Sequence, residues 1–255
     1  YLNMSIERVG SVKSRTNNTK IEIKQLRNFK RGVYLKKNIK IKKGEQIKKK
    51  HVLFQYPSIT NQLLANDFSR FSKFFAKRDL SKSSTILKKN IKIINNRKII
   101  EEIREKIKEM IIRSKIIVPS LSEIEISHHY GIENYKKFGL SMITIFNKDY
   151  CKKLLFLLNQ QIHPKQFHKI KNETFFILYG KVRVKIWSNS KLKEKVLKAG
   201  DLLTIQPKEV HWFKATSNGG AIIEELSTEA KKNDSFYIDE KITKNKNRKS
   251  FISLN

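Results

Sequence analysis

Cysteine is all but missing from this sequence. Cys151 stands alone among 255 residues, so no disulfide forms within the chain, and a fold of this length has to rest on packed apolar side chains. A lone thiol suits a reducing compartment, which makes the cytoplasm the expected location. No apolar run approaches the roughly 18 residues of a membrane-spanning helix, and no signal-peptide core is present. Neither a membrane nor export is expected. Position 1 holds Tyr1 in place of Met, so the sequence is expected to be the C-terminal piece of something longer.

Acidic side chains are also in short supply. There are 23 Asp and Glu against 55 Lys and Arg, for a formal charge of +32. Such an excess raises nucleic-acid binding, since cations near phosphates release counterions. Arginine, however, is scarce, 11 residues against 44 lysines, and the bidentate recognition of bases and phosphates favours the arginine fork. The lysines are spread along the whole chain among abundant Ile and Asn, a bias that a low-GC genome also produces. They are read as solvated faces, and no nucleic-acid partner is expected. A hydrophobic share of 39% with 15 Phe argues for a folded protein of two ordinary domains.

Residues 1–27 are polar and basic and read as a linker. From Phe29 the chain becomes strand-like, with "GVYLKKNI", the turn "KKGEQI" and then "HVLFQYP". A weak echo follows some forty residues later in "FFAKRDLSKSSTILKKNI", which predicts a small pseudo-symmetric β module over 28–92. In "RKIIEEIREKIKEMIIRS", Ile100, Ile103, Ile107 and Met110 or Ile111 recur at helical spacing, predicting an amphipathic connecting helix within 93–114. Short strands with polar turns then continue to about Ile238, giving a second domain over 115–242. Residues 243–255 read as a basic tail.

The stretch "HPKQFHKIKNETFFILYG" carries the chemistry. Gln166 and His168 are two apart on a predicted strand and leave the same face. Glu173, Phe175, Ile177 and Tyr179 share one parity on the next strand, which ends at Gly180. In "GDLLTIQPKEVHWF", His211 lies eleven residues after Gly200. Gln166, His168, Glu173 and His211 form a mixed N/O set that suits Mn, Fe, Ni, Co or Zn and not a thiolate site. His163 has the wrong strand parity for that set and is a substrate contact or a loop histidine. His128, in "ISHHYG", is a pocket-edge sugar contact or a packing residue, and Trp212 is expected in the core.

The spacing His168, Glu173, Gly180 followed by Gly200, Pro207, His211 resembles the two motifs of the cupins, small antiparallel jelly-roll β-barrels whose inward residues hold one metal. Gln166 stands where the family has the first histidine of its HxH. "EELSTEAKKNDSFYID" further resembles the closing segment of the D-lyxose ketol-isomerase branch. That resemblance implies Glu225 as proton-moving base, with Ser227, Asn233 and Asp234 lining the pocket; Glu224 has the opposite strand parity and is expected to face out. The alternative for Glu225 is a carboxylate merely hydrogen-bonded at a strand end. Lys169 or Lys171 is placed to stabilise an enediolate, and Tyr179 is taken as a sugar contact.

"NFKRGVYLKKNIKIKKGEQI" resembles the SAF, or antifreeze-like, domain at the C-terminus of sialic acid synthases, a β-clip fold. In that family an arginine before Pro-Gly touches the sugar, whereas here the position reads Tyr56-Pro57-Ser58. The synthase's TIM barrel is absent. The resemblances together imply a mainly β bacterial protein, a β-clip module joined by a helix to a cupin. It would serve carbohydrate biosynthesis of the sialic acid type, with the cupin binding a divalent transition metal and a sugar or nucleotide sugar, and isomerising or epimerising it. A homodimer and a synthase barrel, in the same full-length protein or in another subunit, are the expected partners. The alternative is a non-catalytic sugar-binding module for a separate barrel.

Overall fold

A computed structural model describes residues 30–69, 71–81, 84–188, 191–228, 231 and 234–255. The expected linker at 1–27 and Asn233 lie outside them. The protein is mainly β and divides into two compact units, residues 1–95 and 96–255.

In the smaller unit, alternating apolar residues make β1 (Gly32–Leu35), β2 (Gln46–Ile47), β3 (Val52–Gln55), β4 (Ser72–Ala76) and β5 (Ile91–Asn95). β1 pairs with β3, and β2, β4 and β5 form a second small sheet. The echo seen in the sequence is a structural repeat. Buried Ile41 and Ile47, the 3-10 turn Lys49–His51 and buried Val52 recur thirty-nine positions later as Leu80, Ile86, the turn Lys88–Asn90 and Ile91. Ile41 and Leu80 exchange backbone hydrogen bonds of 3.0 and 2.8 Å, so the equivalent residues of the two halves meet directly. The repeat is closed by β5, which extends through Asn95 before the helix begins.

The larger unit opens with α1 (Asn96–Ser114), whose Ile103, Ile107 and Met110 are buried. Then follow β6 (Glu123–His128), β7 (Gly139–Asn147), β8 (Tyr150–Leu157), β9 (Ile162–Phe167), β10 (Glu173–Tyr179), β11 (Lys181–Ser188), β12 (Lys191–Lys198), β13 (Leu202–Ile205), β14 (Val210–Ala215), β15 (Ala221–Thr228), β16 (Phe236–Tyr237), the short helix α2 (Glu240–Lys244) and β17 (Lys249–Ser253). They build two antiparallel sheets, β13-β10-β15-β8-β7-β6-β17 and β12-β11-β14-β9-β16. The sheets face each other as a cupin-like sandwich and do not close into a barrel. Leu155, Phe175, Ile177, Val184, Phe213 and Ile223 belong to one core cluster drawn from both sheets. The other face of the seven-stranded sheet carries Ile124, Ile126, Leu154 and Phe156, which pack against the apolar stripe of α1. Gly180 joins β10 to β11 at φ +80°, where a Cβ would lie 2.2 Å from the Gly220 carbonyl oxygen. Glycine is required there both by conformation and by the close approach.

Three expectations are corrected. Residues 243–255 are not a free tail, because β17 pairs with β6 from Lys249–Ser127 to Ser253–Glu123. Its alternating, mostly polar pattern hides an edge strand, which needs only one apolar face. Trp212 is not core: it lies between inward-facing His211 and Phe213, so strand alternation turns it outward, 5.7 Å from the Lys185 ammonium. Tyr179 leaves the parity of Phe175 and Ile177, because the β10–β15 register shifts between Ile177 and Tyr179. The extra residue sends its ring to the α1 side of the sheet.

Ile107 is fully buried between α1 and the sheet, so Ile107→Ala is expected to destabilise the protein by about 2–5 kcal/mol. Chemical denaturation followed by circular dichroism measures this, and a loss below about 1 kcal/mol would mean that the helix face is not packed as described.

Candidate metal centre

The centre forms where the ends of β9, β10 and β14 meet. His168, Glu173 and His211 bring ligand atoms within 4.8 Å of one another, and all three are buried. β9 and β14 set Gln166 directly opposite His211, and the Gln166 amide lies 3.2 Å from His211 Nε2. The turn before β14 is tied to the end of β9 by the Lys208 N–H, which donates to the His168 carbonyl oxygen at 2.6 Å.

Each imidazole is oriented from behind. His168 Nδ1–H donates to the Asp234 carbonyl oxygen, and His211 Nδ1–H donates to that of Glu209 at 3.2 Å. This fixes both tautomers, leaving an Nε2 lone pair on each ring aimed at Glu173, at 3.3 Å from Oε1 and 3.5 Å from Oε2. Neither contact has hydrogen-bond geometry, and His168 Nε2 and Glu173 Oε2 are buried without a partner. The His168 Nε2 lone pair and Glu173 Oε2 thus meet no donor, while the Gln166 amide donates to His211 Nε2 and Lys171 to Glu173 Oε1. The two imidazoles and the carboxylate fit a borderline divalent metal, with the Gln166 amide oxygen as the remaining ligand once its side chain is turned over.

Cations hold the carboxylates. Lys171 Nζ contacts Glu173 Oε1 and reaches Glu225 Oε1 at 3.0 Å, while Lys153 approaches Glu225 at 3.4 Å. Burial works most strongly against the Glu173 charge, but the Lys171 ammonium together with His168 and His211 outweighs it, and the carboxyl is held well below the usual range. Burial likewise opposes the Lys171 charge, and Glu225 and Glu173 overcome it, so its pKa is raised. Burial dominates at His211, His163 and His129, lowering all three, with His129 down to about 3.

The residues singled out in the sequence are placed as follows. Gln166, His168, Glu173, His211 and Glu225 come together at one end of the sandwich. Glu225 and Ser227 face inward on β15, with the Ser227 hydroxyl donating to Glu225 at 3.5 Å, while Glu224 faces out to Lys152. Of Lys169 and Lys171, only Lys171 enters the site; Lys169 lies over the Phe236 ring at 4.6 Å. The Asp234 carboxylate is occupied by the backbone N–H groups of Lys169, Ile170 and Lys171, at 2.9, 3.3 and 2.9 Å, and it shapes the loop before β10. His163 faces inward despite its parity. The β9–β14 register shifts between His211 and Phe213, so that His163 opposite Phe213 and Gln166 opposite His211 share a face. The His163 ring stacks on Phe213 at 4.5 Å and lines the cavity. His128 does not line it, bonding instead to the Ser250 hydroxyl at 3.1 Å, and Tyr179 packs toward α1.

Sequence reasoning missed Lys153, His129, Tyr237 and Arg248. Lys153 sits opposite Glu225 in the β8–β15 ladder, and the one available signal was a lysine on the inward parity of an otherwise apolar strand. His129 meets the Tyr237 hydroxyl at 3.1 Å, 5.0 Å from the His163 ring. Arg248, in the supposed tail, lies 4.9 Å from the Tyr237 ring. The cavity that Lys153, Tyr237 and Arg248 help to line measures about 270 Å3.

An antiparallel two-sheet fold thus brings His168, Glu173 and His211, with Gln166 beside them, into an inward cluster that could hold a metal ion. No family model matches the chain. Curated proteins similar to it include two sugar isomerases. The D-lyxose/D-mannose isomerase of Thermosediminibacter oceani is 29% identical over 169 residues, 56% of this chain and 92% of that one. The D-lyxose ketol-isomerase of a Thermofilum species is 29% identical over 160 residues, 52% of this chain and 88% of that one. The sequence similarity to these two enzymes spans just over half of the chain. Among solved structures, Cellulomonas parahominis L-ribose isomerase with L-ribose superposes at a TM-score of 0.49 with 13% identity, over 58% of this chain and 94% of that one.

Two measurements probe this geometry. His129 is neutral in the fold, with a pKa of about 3 against 6.5 in the unfolded chain. Stability from its burial is therefore present above pH 6.5 and is lost as pH falls from 6.5 toward 3. Glu173 adds its own loss only below 4.5. The melting temperature is expected to fall between pH 7.5 and 5, and His129→Gln to fall less steeply; equal slopes would remove this account. Separately, Gln166→His supplies an imidazole and is expected to tighten Zn or Ni binding roughly tenfold or more. Competition with a chelator reads that change, and unaltered affinity would place Gln166 outside the ligand set.

Proposed function

We propose that the larger unit is a metal-dependent aldose–ketose isomerase acting on a monosaccharide. The observation carrying this reading is the meeting, in one cavity, of a His168–Glu173–His211 ligand set with a second carboxylate, Glu225, joined to it by the buried Lys171. Gln166, His168, Glu173 and His211 would hold the metal. A divalent metal bound there supplies Lewis-acid polarisation of the sugar carbonyl and its neighbouring hydroxyl. At about 270 Å3 the cavity lies below the roughly 300–1,000 Å3 of sites for drug-sized ligands. It suits a monosaccharide and not a nucleotide sugar.

The chain's own groups divide the proton work. Glu225 takes the proton from C2, and the C2–H electron pair becomes the second C1–C2 bond as the carbonyl becomes O1–H. Lys171, whose raised pKa keeps it an ammonium, steadies the developing charge on O1 by a hydrogen bond while the O2–H proton passes to O1. Glu225 then returns its proton to C1 as the C2 carbonyl forms, so atoms and charges balance. His163, stacked on Phe213, and Tyr237, held by His129, form the wall opposite the carboxylates and limit how the ring or open chain lies.

The finer setting is also part of the proposal. Residues 28–92 are taken as an SAF-type module, a reading supported by their internal repeat and the Lys-Gly-Glu turn at 43–45. Such a module together with a sugar isomerase suits sialic-acid-type biosynthesis beside a synthase barrel, with the cupin as a homodimer in the cytoplasm.

The test combines elemental analysis with turnover. Purified protein is expected to hold near-stoichiometric Mn, Fe, Ni, Co or Zn and to lose it in His168→Ala and His211→Ala. Glu225→Gln is expected to keep the metal and lower aldose–ketose conversion by about 10²–10⁴-fold. Conversion unchanged in Glu225→Gln would remove the base assignment. Metal and sugar binding without any turnover would leave a binding module serving a separate enzyme.

A further inference from the structure

One wall of the cavity carries a cation that the proton chemistry does not use. Arg248 leads into β17 in the seven-stranded sheet, yet its guanidinium lies 4.9 Å from the ring of Tyr237 in the five-stranded sheet. Its place is fixed from both sides. Its carbonyl accepts the His128 N–H at 2.8 Å, and Tyr237 stands directly opposite Gln166 in the β9–β16 pair while its hydroxyl meets His129. The guanidinium thus spans the two sheets, stacked beside the residue that neighbours a metal ligand, and it lines the same cavity as His168, Glu173 and Glu225.

The charges around it are otherwise matched. Glu125 is taken by Lys249 at 2.7 Å and by the Ser127 hydroxyl at 2.9 Å. Glu173 and Glu225 are held by Lys171, with Lys153 also on Glu225. The Asp234 carboxylate accepts three backbone N–H groups. No carboxylate among the described residues lies within ion-pair range of Arg248. A planar, half-buried guanidinium, held against an aromatic ring and with no carboxylate of the described residues in ion-pair range, is a fork built for a bidentate oxyanion. A divalent metal in the centre adds positive charge to the same cavity, which favours an anion further.

We infer that the sugar taken by this cavity carries an anionic substituent, a phosphate ester or a carboxylate, which Arg248 receives at the Tyr237 wall while the reacting carbons lie at the metal and Glu225. This rests on the isomerase reading above and narrows its substrate class. It separates the chain from an enzyme of neutral pentoses by one fixed charge.

Calorimetric titration of the Mn-loaded full chain tests it with D-mannose, D-mannose 6-phosphate and D-mannuronate, followed by assay of each for conversion to its ketose. At low salt the phosphate or the uronate is expected to bind at least about tenfold tighter than D-mannose, and which of the two does so identifies the anion. The preference is expected to shrink as salt is raised and to vanish in Arg248→Gln. Arg248→Lys keeps the charge without the fork and is expected to retain part of it, with metal content in both variants reporting an intact site. Equal affinity for all three sugars, no binding of either anion, or a preference that survives Arg248→Gln would overturn the inference. Turnover of D-mannose but of neither anion would overturn it and leave the isomerase reading standing. Arg248-dependent anion binding without turnover would do the reverse.

Discussion

Glu173 is 2% exposed at the head of β10, facing Ile205 on one neighbouring strand and Ser227 on the other. An isolated carboxylate at that depth costs several kcal/mol, so everything around it is arranged to keep its charge tolerable. Lys171 is the counter-ion in the chain itself. Its ammonium, also buried, is shared with Glu225 and thereby draws a second carboxylate into the same cavity. The two imidazoles complete the enclosure with lone pairs, not protons, because their Nδ1–H groups are committed to backbone carbonyls. Two of its acceptors, His168 Nε2 and Glu173 Oε2, are left without a protein donor, and the proposed metal would occupy that gap.

The same constraint explains features distant from the metal ligands. Asp234 has no direct role at the centre, yet its carboxylate gathers the N–H groups that position Lys171, and its carbonyl sets the His168 tautomer. The α1 helix covers the opposite face of the seven-stranded sheet, and with that face sealed the sheet can hold Glu173, Glu225 and Lys153 on the other. One half of the sandwich is dry and apolar around Phe175, Ile177 and Val184. The other is a polar cleft, and the change from one to the other occurs within a single strand between Glu173 and Phe175.

Net charge is a poor guide to this molecule. The chain-wide excess of lysine invites a polyanion reading, but most lysines on β11 and β12 are exposed and paired loosely if at all, as with Lys185 and Glu194 at 3.2 Å. The informative cations are the few that strand alternation turns inward. Among the described residues Lys171 is distinguished by burial, Lys153 by its place opposite Glu225 and Arg248 by its aromatic neighbour, properties that composition does not encode.

Local periodicity made part of this legible. The stripe of Ile103, Ile107 and Met110 specifies α1 because helical repeat and amphipathicity are properties of neighbouring residues, and the echo between Ile41–Val52 and Leu80–Ile91 is written in order along the chain. The spacing of Gln166, His168 and Glu173, with His211 beyond the proline turn, likewise lies within short segments whose strand parity is regular. Where parity breaks, the sequence is silent. The shift that turns His163 inward exists only because β9 is paired with β14, and the one that turns Tyr179 outward only because β10 is paired with β15. Lys153, Tyr237 and Arg248 join the site through pairings across 72, 71 and 120 positions (225−153, 237−166, 248−128). Those partnerships are chosen by the closing of two sheets over a common core, and only the tertiary structure decides them.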